Sequence, residues 1–223
     1  MGTFIETEIK KLGKTIKEIN TLAENQVFDA MKTLLSEDDI SGNKEIKKAE
    51  EKIDKLDMKI DQICQNIVAL HQPVASDLRF VLSAMQIGNE AERIGDLAMS
   101  IIRRSKNNLD KKELVSKYNI AQIAREIEEI TVTTNRYFRK LEEDKIEQIF
   151  ALDTSLKDRI EIAIQGIIVE MKANSDIVDS GADLIIVLKH LERISDHCTN
   201  IAESVYFVIT SKIVKHARFD QKK

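Results

Sequence analysis

At 223 residues, with 43% hydrophobic side chains, the chain can bury a sizeable core as one large domain or two smaller ones, which excludes wholesale disorder. One Pro, seven Gly, no Trp and 32% charged residues describe long helices joined by short turns. The formal charge of −4, with Lys and Glu interleaved along every segment, leaves no basic patch for nucleic acid. The longest apolar runs, such as Ile185 to Leu188, are far too short to span a bilayer. Glu6, Glu8, Lys10 and Lys11 exclude a signal peptide at the N-terminus. Cys64 and Cys198 form no Cys-x-x-Cys pair and read as small buried thiols. A soluble protein of a reduced compartment is expected.

Six segments carry helical periodicity. The first places Ile5, Ile9, Leu12, Ile16, Ile19 and Ala23 at alternating spacings of four and three, and should end near Ser41-Gly42-Asn43. The second is the cleanest seam: Ile46, Ala49, Ile53, Leu56, Ile60, Ile63, Ile67 and Leu70. Pro73 stops it or sits in the turn that follows, and Ser76 or Asp77 can cap the third. The third aligns Ala84, Ile87, Ala91, Ile94, Ala98 and Ile101, and should run to about Asn107-Asn108. The fourth carries Ile120, Ile123, Ile127, Ile130, Phe138 and Leu141, and the fifth should run from about Lys145 to Ala173. After a turn at Asn174-Ser175-Asp176, the sixth aligns Leu184, Val187, Leu191, Ile194, Cys198, Ile201, Val205 and Val208. The polar tail beyond His216 should be frayed.

An internal repeat organises these segments. Glu92-Arg93-Ile94-Gly95-Asp96 matches Glu192-Arg193-Ile194-Ser195-Asp196 at an offset of 100 residues (192 − 92). The seams keep phase at that offset: Ile87 with Val187, Ala91 with Leu191, Ile101 with Ile201. A chance pentapeptide would not bring its flanking periodicity along. The fold expected is therefore all-α, two tandem three-helix bundles over residues 1–110 and 111–223, each burying its apolar stripes.

Heptad numbering puts Glu92 and Asp96, and likewise Glu192 and Asp196, outside the packing seam, about 6 Å apart along one side of a helix. The second segment has its own stripe, Glu50, Asp54, Asp57 and Asp61, with no Lys or Arg inside it; the fifth offers Asp153, Asp158 and Glu161. Two readings stay open. Outward acids are commonly a solvated face. Yet clustered like charges repel, and an acid-only stripe beside another acid pair is what hard, oxygen-seeking cations require. A ferritin-like di-iron site fails, because none of the four histidines has Glu three residues before it. His190 and His197 flank the second acid pair and could assist a cation; packed side chains are the simpler reading. Ser100 and Asn200 extend the same faces. With no Gly-x-Ser-x-Gly, P-loop or Cys-His-Asn pattern, no enzyme is expected.

Gln72-Pro73-Val74-Ala75-Ser76-Asp77-Leu78-Arg79, followed by Glu92 to Ala98, resembles the first repeat of the PhoU family, and His190 to Glu203 resembles the second. The resemblance spans nearly the whole chain. It implies a cytoplasmic negative regulator of phosphate uptake and of the phosphate-starvation response. Such a protein would be a metal-binding adaptor between the ATPase subunit of a phosphate ABC transporter and a sensor histidine kinase. A homodimer is among the partners to consider. The resemblance also implies multinuclear metal clusters, iron first, with zinc, manganese or magnesium not excluded. Carried over by position, one cluster would use Glu50, Asp54, Glu92 and Asp96; the other would use Asp153, Asp158, Glu192 and Asp196. The second half departs from the family pattern. Lys157 is the direct equivalent of Asp54, and only a one-residue slip, suggested by the step from Leu156 to Ile160, brings Asp158 into place. Ser100 also replaces the Asn usual after the first motif. The alternative is a structural helical interaction protein with neither metal nor phosphate role.

Overall fold

Long amphipathic stripes need partners, and here they find them in one shared core. The computed structural model describes residues 2–36, 44–105, 109–141 and 145–215, and no strand occurs among them. The helices are α1 (Gly2–Leu35), α2 (Lys44–His71), α3 (Ala75–Arg104), α4 (Leu109–Lys117), α5 (Ile120–Lys140), α6 (Lys145–Ala173) and α7 (Val178–Thr210). A single 3-10 turn, Ser175–Ile177, precedes α7, and its Asp176 N–H donates to Asn174 Oδ1 at 3.0 Å. The six expected long helices are present; α4 is an additional short one, whose weak periodicity did not announce it.

Helices α1, α2 and α3 pack together, as do α5, α6 and α7. The two sets meet where α3 lies along α7 and α1 along α5. The seam positions Leu12, Ile16, Ile19, Ile53, Ile60, Ile87, Ile101, Leu191 and Ile201 are all buried in one continuous cluster. A polar seam ties α1 to α5: Asn135 Nδ2 donates to the Asn20 carbonyl at 3.0 Å, and Arg139 donates to Thr21 Oγ1 at 2.9 Å.

Several boundaries differ from the expectation. Leu70, on the last turn of α2, is 73% exposed and not part of the packed seam. Leu141 is not a seam residue: it takes the left-handed conformation that ends α5, and is 49% exposed. Val208 is only half-buried. Neither Ser76 nor Asp77 caps α3; the cap position is Val74, whose carbonyl accepts from the Asp77 N–H at 3.1 Å. Helix α1 ends at Leu35 and α3 at Arg104, earlier than expected. The turns expected at residues 41–43 and 107–108, and the tail from His216, lie outside the described residues.

Close packing of α2 on α3 positions the acids. A Cβ at Gly88 would lie 3.0 Å from Ile60 Cδ1, and one at Gly95 3.1 Å from Ile53 Cδ1. Two isoleucines of α2 thus nest on two glycines of α3, with the helices antiparallel. Asp54 and Asp57, between those isoleucines, are held beside Glu92, between those glycines, and Asp96, the residue after Gly95.

Candidate metal centre

In the first half, each of Asp54, Glu92 and Asp96 offers a carboxylate oxygen, and these oxygens all lie within 4.8 Å of one another. Asp54 is exposed, and Glu92 and Asp96 are half-buried. Oxygens around one hard cation sit at about 2.0–2.6 Å from it, hence up to about 4–5 Å apart. The trio meets that requirement. Glu92 Oε2 is shielded from solvent and makes no hydrogen bond; Arg93 Nε stands 3.4 Å from it. Arg93 Nη1 also stands 3.7 Å from Asp96 Oδ2. Burial, then the charge of Asp96, with Asp57 and Asp54 behind it, raises the Glu92 carboxyl above its ordinary value, and Arg93 only partly opposes this. Asp57 is raised too, by burial, Asp61 and Asp54 against Arg93. On this face burial and neighbouring carboxylates together outweigh the one opposing charge, that of Arg93.

Glu50 stands apart from the trio. Its Oε1 accepts from Arg103 at 3.3 Å, an ion pair that links the start of α2 to the end of α3. Of the four first-half residues expected to bind metal, the structure brings three together.

The second half is built differently. Asp153 is fully buried, not outward-facing as expected. Its Oδ1 accepts from Ser195 Oγ at 2.6 Å, and its Oδ2 from Lys157 Nζ at 2.8 Å. The same ammonium lies 2.7 Å from Asp196 Oδ1. Burial alone would lower the Lys157 pKa, but the hydrogen bonds and charges of Asp153 and Asp196 outweigh it and raise it. Glu192 is held by Lys189 at 2.6 Å. Asp158 is exposed, one position further round α6, and no slip brings it to Asp153. Here the residues do not fit a metal: no second carboxylate group of the first kind occurs among the described residues.

His190 and His197 are half-buried. His197 Nδ1 lies 2.5 Å from Glu90 Oε2, and Asn200 Nδ2 donates to the same oxygen at 3.1 Å, so both tie α7 to α3. Glu90 went unnoticed in the sequence, although its repeat equivalent is His190, itself two residues before an acid. His190 is lowered by burial, then by Arg104 and Arg193. No helix among the described residues is long and apolar enough to cross a membrane.

The family model for the PhoU domain matches residues 16–105 and 120–205, one match in each half. The phosphate-specific transport system accessory protein PhoU homologue of Pseudomonas aeruginosa is 26% identical over 211 residues, covering 94% of this chain and 86% of that protein. The Escherichia coli accessory protein PhoU is 23% identical over 220 residues, covering 96% and 88%. The crystal structure of PhoU from P. aeruginosa has a TM-score of 0.83 at 25% identity, over 93% of this chain and 99% of that one. The phosphate transport system regulatory protein PhoU from Streptococcus pneumoniae gives 0.81 at 23% identity, over 95% and 99%, a likeness of fold. Matched in both halves and along the whole helical frame, the chain belongs to the PhoU family.

Proposed function

We propose that this protein is a cytoplasmic, non-enzymatic accessory of phosphate transport. It restrains phosphate uptake and the phosphate-starvation response by binding the ATPase subunit of a phosphate ABC transporter and a sensor histidine kinase. The observation that carries the reading is the full-length kinship with proteins named as phosphate-specific transport accessories. The site accords with it: three carboxylates converge between α2 and α3, an arrangement suited to holding a cation. Extended helical faces suit recognition of another protein's domain.

Within that role, Asp54, Glu92 and Asp96 hold a hard cation of the iron, manganese or magnesium kind. The ion supplies positive charge between α2 and α3, and the three carboxylates orient it. Arg93, half-exposed and bridging Glu92 and Asp96, then gives up these contacts and becomes available to a partner.

A deletion strain should keep the starvation response on in phosphate-rich medium, and the restored gene should switch it off. Pull-down with the ATPase subunit and the kinase's cytoplasmic region identifies the partners. Normal phosphate regulation in the deletion strain, with neither partner captured, would sink the signalling role and leave a structural helical interaction protein.

A further inference from the structure

We propose that Lys157 is a built-in replacement for a metal ion: its ammonium occupies the second carboxylate site, so that the chain takes metal in its first half only. This rests on the reading of Asp54, Glu92 and Asp96 as a cation site, and sharpens it.

Position makes the correspondence. Ile46 and Ile53 of α2 and Ile149 and Leu156 of α6 are buried seam residues in matching order. Between and after them, Asp153 stands where α2 has Glu50, and Lys157 where it has Asp54. On the partner helix Asp196 matches Asp96, and Ser195 matches Gly95. Three differences between the halves therefore fall on one spot, and each makes sense only with the other two. Lys157 brings a positive charge to 2.8 Å from Asp153 and 2.7 Å from Asp196, the two acids that a cation would otherwise join. Shortening Glu to Asp draws the carboxylate fully inside, where an unpaired charge is very costly and a paired, hydrogen-bonded one is tolerated. The Ser195 hydroxyl, absent from the first half, supplies the remaining hydrogen bond at 2.6 Å. The third acid, Glu192, is already matched by Lys189. Charge and hydrogen-bond demand at the second site are thus met from within the chain, whereas Glu92 Oε2 in the first is left without a hydrogen bond.

Manganese(II) is the probe, and bound metal per full-length chain after equilibrium dialysis is the readout. Glu92→Gln with Asp96→Asn should leave no bound manganese. Adding Lys157→Asp to that double variant should restore one manganese per chain, and adding Asp196→Asn as well should remove it again. In EDTA, Lys157→Met alone should lower the Tm by roughly 5–10 °C, because it strands a buried carboxylate. Manganese retained by the double variant and lost on adding Asp196→Asn would overturn the proposal, since the second site would then bind metal despite Lys157. Failure of Lys157→Asp to bring in metal, or an unchanged Tm for Lys157→Met, would overturn it equally. If the unsubstituted chain takes no manganese while the triple variant takes one, the metal role proposed for the first half fails and the assignment of Lys157 stands.

Discussion

Replacing Glu92 and Asp96 together by Gln and Asn should make the metal-free protein slightly more stable and the metal-loaded protein clearly less so. The amides keep the side-chain shapes, so charge is the variable. Three carboxylate pairs among Asp54, Glu92 and Asp96 stop repelling. At a few tenths of a kcal/mol each, that relieves about 1 kcal/mol. The contacts of half-exposed Arg93, at 3.4 and 3.7 Å, are given up, at about 0.5 kcal/mol together. The net gain is about 0.5 kcal/mol, or roughly 1–2 °C in Tm for a chain of this length. In the parent protein, manganese at a hundredfold excess over its Kd adds about 2.7 kcal/mol, a rise of roughly 5–10 °C that the variant should lack. Thermal melts followed by circular dichroism in EDTA and in manganese should therefore cross: variant above parent in the first, below it in the second. A variant that melts well below the parent in EDTA would mean that the acids are stabilised by native partners. An equal manganese shift in both proteins would mean that the cation binds elsewhere.

Two further outcomes follow from buried titratable groups. Burial pushes both thiols, Cys64 and Cys198, up to about 12, so neither should react with a thiol reagent at neutral pH in the native protein, and both should in guanidinium; rapid native labelling would contradict their burial. The raised carboxyls of Glu92 and Asp57 bind protons more tightly folded than unfolded, so metal-free stability should fall as pH climbs through the ordinary carboxylate range and past their raised values. Glu92→Gln should flatten that fall in urea midpoints taken across the range; an unchanged slope would remove Glu92 as its source.

Regular spacing made most of the fold legible before any coordinates. Ile53, Ile60, Ile87, Ile101, Leu191 and Ile201 announced their burial because a seam residue on a long helix has one face to occupy. Element ends were less legible. Leu70 and Leu141 continue an apolar pattern to positions that stay exposed, and periodicity carries no information about where a packing partner ends. The first acid site was visible as a charge pattern on two helices, since like charges left unbalanced along a stripe need something to balance them. Glu50 looked equivalent to Asp54 and is not, because Arg103 reaches it from the far end of α3. Such a pair, 53 residues apart in sequence, has no local signature.

Lys157 is where local spacing and geometry diverge most. Read along α6, it interrupts an acid pattern that Asp158 resumes one position late; read across to α7, it completes one. The difference decides what each half can do. A tethered ammonium arrives with the chain, is always present at its carboxylates, and holds α6 to α7 whatever the ionic surroundings. A diffusible cation between α2 and α3 is present only in proportion to its concentration and affinity, and any partner that prefers the loaded surface draws on that equilibrium. On the proposed reading, a duplicated frame has become an asymmetric one, with a fixed half to carry the structure and a loadable half whose surface charge can change. Signals that depend on metal would then enter through the Glu92 and Asp96 face alone. Substitutions at Glu192 and Asp196 would act on stability without altering metal dependence.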